Sequence, residues 1–222
     1  MPSLYNIYVA FIVPGSILIP TAIAAFNYKF LDKPLKIILL FLIGSALINL
    51  VALIMAHHGI PNLVIFHLYS IFEFGLISWF YMQLFKSSWG KIITILIIIF
   101  TISSLINLIF VQKSMQFNTY TRSVEAVIII GYCVLFFNQQ STINLTQDWG
   151  SISFNWINTG ILIYYSCCFF AFLSSNYLRY PDVSREFIHV VWYIIDTILM
   201  IEYILFAIGF YKCRKQPIIS SY

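Results

Sequence analysis

Seven continuous apolar runs leave little of this chain for anything but crossing a membrane. They lie near 5–28, 37–58, 63–85, 92–112, 121–140, 154–175 and 187–211. A spanning helix needs about 20 apolar residues, so seven spans with short connections use nearly all 222 residues. The connections hold the residues that interrupt helices: Lys33-Pro34, Gly59-Ile60-Pro61-Asn62, Lys86-Ser87-Ser88-Trp89-Gly90 and Arg179-Tyr180-Pro181-Asp182.

Composition agrees. Charged residues make up 9% and hydrophobic ones 61%, whereas a soluble domain carries about 25% charged residues. Such a chain cannot cover a water-facing surface, and lipid is its expected solvent. Within lipid only helices and closed barrels satisfy every backbone group. The runs are continuous rather than alternating, which points to helices. The expected fold is therefore all-α, a polytopic bundle of about seven transmembrane helices forming one domain over 1–222. Pro14, Gly15 and Pro20 should kink the first helix.

Ala22, Ala24 and Ala25 follow an apolar stretch as at a signal-peptide cleavage site. The basic region that such a signal needs is missing, so this stretch reads as the first span. No segment remains for a soluble kinase, protease or nucleotide-binding domain, and any such activity is expected from a partner chain. Nucleic acid is not an expected partner. Cys133, Cys167, Cys168 and Cys213 form no secreted disulfide framework and are expected as buried thiols.

Orientation follows from Lys and Arg. With the N-terminus outside, inner segments hold Lys29, Lys33, Lys36, Lys86, Lys91, Lys212, Arg214 and Lys215, while outer ones hold Lys113, Arg122, Arg179 and Arg185. That bias favours N-out, C-in and a cell membrane, expected to be a bacterial inner membrane. The sequon Asn144-Leu145-Thr146 then falls inside, unglycosylated. Lys212-Cys213-Arg214-Lys215 reads as a positive-inside anchor, with headgroup binding or palmitoylation as alternatives.

The chemistry lies in the ionisable residues of the spans, which are costly in lipid and by default suggest function. The third span carries His67, Tyr69, Ser70 and Glu73, with Glu73 about 15 Å below its outer end at 1.5 Å per residue. In the seventh, His189, Tyr193 and Asp196 form one stripe, with Glu202 deeper and off it. His57 and His58 end the second span, Arg122 and Glu125 begin the fifth, and the sixth carries Asn155, Asn158, Tyr164 and Tyr165. Together these depths predict an outward-open polar cup floored by Glu73 and Asp196. His67, Tyr69, Asn158, Tyr164, His189 and Tyr193 are its other expected ligand contacts.

Three readings of the cup stand side by side. It is a hydrogen-bonded network joining helices, a site for a small molecule or lipid, or a metal or haem site. His57, His58, His67, His189 and Glu125 are the candidate metal ligands. Adjacent His57 and His58 point about 100° apart on a helix, which makes it hard to aim both at one ion.

Known folds limit the choice. Microbial opsins need a mid-membrane lysine in the last helix, where this chain has only Lys212 at the inner end, so retinal is not expected and the cofactor is open. Ceramidase-like zinc hydrolases need a paired HxxxH that is absent, and rhomboid proteases a GxSx motif that is absent. A carrier of three-plus-one-plus-three type would pair His67 and Glu73 of the third span with His189 and Asp196 of the seventh, at spacings that differ by one residue.

The segments Asn62–Phe74 (NLVIFHLYSIFEF) and Phe154–Tyr165 (FNWINTGILIYY), with His189 ahead of a polar mid-helix residue, resemble seven-transmembrane-helix proteins of Bacteroidota. These are similar to membrane input modules of histidine kinases. The resemblance implies a sensory role without naming a ligand. Sequence reading thus favours a membrane sensor with an outward-facing polar pocket, signalling to a partner protein. A small-molecule carrier and a lipid-modifying membrane enzyme are the alternatives.

Overall fold

The computed structural model describes residues 8–112, 116–143, 148–179 and 182–215. Among them every regular element is helical. An interrupted N-terminal helix, α1 (Val13–Phe26), follows a π-helical turn at Tyr8–Ile12. Then come α2 (Lys33–His57), α3 (Leu63–Leu84), α4 (Ser88–Ile106, continued by a π turn Asn107–Val111), α5 (Thr119–Ile143), α6 (Ser153–Ser174) and α7 (Arg185–Lys212). The six helices α2 to α7 are long and apolar enough to cross a membrane, while α1 is shorter. All-α architecture and six of the seven spans follow the expectation. Pro14 sits in the first turn, and α1 breaks at Ile17 ahead of Pro20, which lacks the N–H that a continuous helix would use.

Short connections force α2 to α7 to run up and down. The interior is aromatic and branched aliphatic: Phe74, Phe80, Tyr81, Ile129, Ile161, Phe206 and Phe210 are all but inaccessible. Phe74 of α3 stacks on Phe100 of α4 with ring centres 4.0 Å apart. Outward faces stay apolar too, as with Ile95, Ile99 and Ile102 of α4, which is how a helix surface looks when its solvent is lipid.

α6 and α7 approach closely because two glycines leave room. A Cβ on Gly160 would lie 3.0 Å from the Phe206 ring and 3.3 Å from the Glu202 carbonyl oxygen, and one on Gly209 would lie 2.9 Å from Ile157. Small residues at such crossings replace the hydrophobic drive that lipid removes. At the end where α1 and α7 finish and α2 begins, the Asn27 side chain donates to the Phe210 carbonyl at 3.2 Å. Lys29 and Arg214 lie over the Phe30 ring there, and Lys36 over Tyr28, the pairing typical of a membrane interface.

Two cysteine readings change. Cys167 is exposed while Cys168 is buried, because neighbours on a helix point about 100° apart and only one can face the core. Cys213 is buried and its thiol donates to the Phe210 carbonyl at 2.9 Å. Burial pushes this thiol up from its ordinary pKa, with the Asp32 charge adding to the effect, so it is a poor acceptor for a palmitoyl group. The sequon Asn144-Leu145-Thr146 and Lys113 lie outside the described residues.

Replacing Gly160 with Leu is expected to lower stability by about 1–3 kcal/mol through overpacking against Phe206. Gly131→Ala, at an exposed α5 position with open space around it, should be neutral or slightly stabilising. Thermal unfolding in mild detergent reads both.

Candidate functional site at Arg122

The polar heart of the bundle forms where α3, α5 and α6 meet. Its geometry depends on where α5 starts. The Asn118 side chain, just ahead of α5, donates to the Ser70 hydroxyl at 2.9 Å, so α5 begins level with the third turn of α3. One turn further in, Arg122 is level with Glu73. Its Nη1 donates to Glu73 Oε2 and, at 3.1 Å, to Glu125 Oε2. Its Nη2 donates to the Tyr164 hydroxyl of α6 at 3.3 Å.

Aromatic rings close the site. The guanidinium carbon lies 4.6 Å from the Phe172 ring centre and 6.0 Å from that of Tyr69, within cation–π range. The Tyr69 hydroxyl shares a 3.0 Å hydrogen bond with Ser45 of α2. Glu125 is fully buried, Glu73 is 3% exposed and the Arg122 side chain 15%. Charges this deep persist only when paired, since desolvation costs several kcal/mol per ion.

Above the cluster, polar side chains pin the connection between α4 and α5. His67 Nε2 lies 3.0 Å from the Gln116 carbonyl oxygen. Asn176, just past α6, accepts from the Phe117 N–H at 3.0 Å and donates to the Phe117 carbonyl at 3.1 Å. The Asn107 amide faces Gln112, Asn118 and Thr121. Beside them an apolar groove of about 170 Å³ runs between α4 and α5, from Asn107 and Thr121 to Leu96 and Ile128.

Below the cluster, the Tyr81 hydroxyl donates to Asn158 Oδ1 at 2.6 Å, and Cys133 Sγ lies 3.0 Å from the Tyr81 oxygen. Glu202 of α7 is 2% exposed. Its carbonyl borders Gly160, one turn along α6 from Tyr164.

The expected residues divide. Glu73, Tyr69 and Tyr164 come together, and Glu125 joins them as a partner of Arg122. His67 tethers the rim, and Asn158 belongs to the Tyr81 contact below. The stripe of His189, Tyr193 and Asp196 does not face the cluster. The Tyr193 ring packs 4.6 Å from Tyr8, His189 is exposed, and Asp196 is half-buried with no hydrogen bond or ion pair to any described residue. The core-facing stripe of α7 is instead Ile195, Glu202 and Phe206, about 80–120° around the helix from Asp196 at 100° per residue. A floor of Glu73 and Asp196 is therefore replaced by Glu73 and Glu125 around Arg122.

His57 and His58 are exposed at the end of α2, their ring centres 5.5 Å apart. Among the described residues no three His, Cys, Asp or Glu side chains converge as a metal site. Arg122 is what sequence reading missed as a site residue. It counts as an outer-loop charge if all helix ends are level, and the signal was available in its i, i+3 spacing from Glu125.

Comparison with protein-family models, with curated proteins and with solved structures finds no match for this chain.

Arg122→Gln is expected to cost about 3–5 kcal/mol, because it leaves buried carboxylate charge uncompensated. Asp196→Asn should change stability by less than about 0.5 kcal/mol. Unfolding of the detergent-solubilised variants distinguishes the two.

Proposed function

We propose that this chain is an integral membrane sensory protein that binds a small molecule or lipid from the outer side at the Arg122 cluster. With the N-terminal segment Tyr8–Phe26 taken as a seventh crossing, it lies N-out, C-in, with Lys29, Lys36 and Arg214 at the inner face. The observation that carries this reading is one guanidinium held by two carboxylates at the junction of α3, α5 and α6. Polar contacts that merely join membrane helices contribute about 1 kcal/mol or less each. They do not need a buried guanidinium set against two acids, whose assembly is costly in lipid. Exchange of one carboxylate for a ligand group would shift α5 against α3 and α6. That movement would reach a partner protein through the inner connections. The segments 62–74 and 154–165 both contribute to the cluster, through Glu73 and Tyr164.

A carrier is the second reading. It is favoured by Glu202, a second buried acid one helical turn beyond Tyr164 on the inner side of the cluster.

Native mass spectrometry of protein released from mild detergent tests the sensor. Wild type should retain a small molecule or lipid that Glu73→Gln loses. Identical unliganded masses for both would count against the reading. Pumping of a solute into proteoliposomes would favour the carrier.

A further inference from the structure

The centre of the bundle holds more acid than base. Arg122 pairs with Glu73 and Glu125, and Glu202 lies within electrostatic reach of both Glu73 and Arg122. Glu202 is 98% buried, and among the described residues no hydrogen bond or ion pair reaches it. On the other side, Glu125 Oε1 and the Tyr165 hydroxyl are buried and within interaction range of each other, and no hydrogen bond of ordinary geometry reaches either from the described residues. Three ionised carboxylates and one guanidinium would leave two net negative charges among Phe74, Phe172 and Phe206. A medium this apolar does not support such an imbalance, so protons or cations must supply the difference.

The surrounding groups narrow the choice. Tyr69 faces the cluster from α3, Tyr164 and Tyr165 from α6, and Tyr203 from α7. Cys133 and Cys168 flank Glu202. His67 lies above, against Gln116. Phenols and thiols are ordinarily neutral at physiological pH, so the carboxyls are the groups left to take up charge. A metal cation would need several converging ligands, which the described residues do not provide. A single proton fits the unclosed contact between Glu125 Oε1 and Tyr165.

Taking the Arg122 cluster as the functional site, we propose that it binds protons: one exchangeable proton sits on Glu125 where it faces Tyr165, a second sits on Glu202, and Glu73 stays ionised as the partner of Arg122. Release of the Glu125 proton would put a second full negative charge against Nη1 and draw Arg122 away from Glu73, linking outer pH to the packing of α3 against α5.

Infrared spectroscopy of the full chain in lipid, in water and in heavy water, tests this without any ligand. Wild type should show protonated carboxyl bands that shift on deuteration. Glu125→Gln should remove one band and Glu202→Gln another, while Glu73→Gln should remove the Glu125 band and keep that of Glu202, because Glu125 then ionises as the remaining partner of Arg122. Both of the first two variants should keep wild-type thermal stability, since each replaces a neutral acid with a neutral amide. Bands that persist in both variants, or a Glu202 band lost in Glu73→Gln, would overturn the proposal. So would failure of Glu125→Gln or Glu202→Gln to fold, or sodium-dependent stabilisation with no protonated band. Because no ligand takes part, these failures leave ligand binding untouched, and loss of ligand retention with the bands intact would fault only the sensory reading.

Discussion

The buried contact of Arg122 with Glu73 and Glu125 is the interaction on which the centre of this bundle depends. Most of the interior is held by dispersion between aromatic and branched side chains, which tolerates sliding and small rotations. A guanidinium that must satisfy two carboxylates and a phenol does not. It fixes the depth of α5 against α3 and the rotation of α6 about its axis. The rim serves the same end. Asn118 on Ser70, His67 at Gln116 and Asn176 on Phe117 hold the start of α5 several residues deeper than the start of α3, which brings Arg122 level with Glu73.

Much of the architecture is legible in the sequence because lipid imposes one simple demand. Apolar runs of sufficient length must become helices, and α2 to α7 fall close to the runs that announce them. The exception is the N-terminal run, where Pro14 and Pro20 divide the helix and shorten α1. The site is only half legible. Glu73, Tyr69 and Tyr164 stand out as polar residues deep in apolar helices. The choice between Asp196 and Glu202 does not, because both are acids on the same helix. Which one faces inward is set by the packing of Ile195 and Phe206 and by the glycines that admit α7 to α6. Arg122 is hidden by the assumption that helix ends are level, a matter of tertiary offset that hydropathy does not carry.

The arrangement also separates two kinds of polar group. His189, Tyr193 and Asp196 line a face shared with the N-terminal segment through Tyr8. The inner group of Glu73, Glu125, Arg122 and Glu202 lies between helices, with Glu73, Glu125 and Glu202 almost wholly buried. Under the proposed sensory role, charge balance there would couple a binding event to helix packing.

A double-mutant cycle between Arg122 and Glu73, read by unfolding in mild detergent, tests the central claim most directly. If the two side chains form the joint of the bundle, Arg122→Gln and Glu73→Gln combined should cost less than the sum of the single changes, by about 1 kcal/mol or more. Strict additivity would mean that the two charges do not act on each other, and would contradict the account.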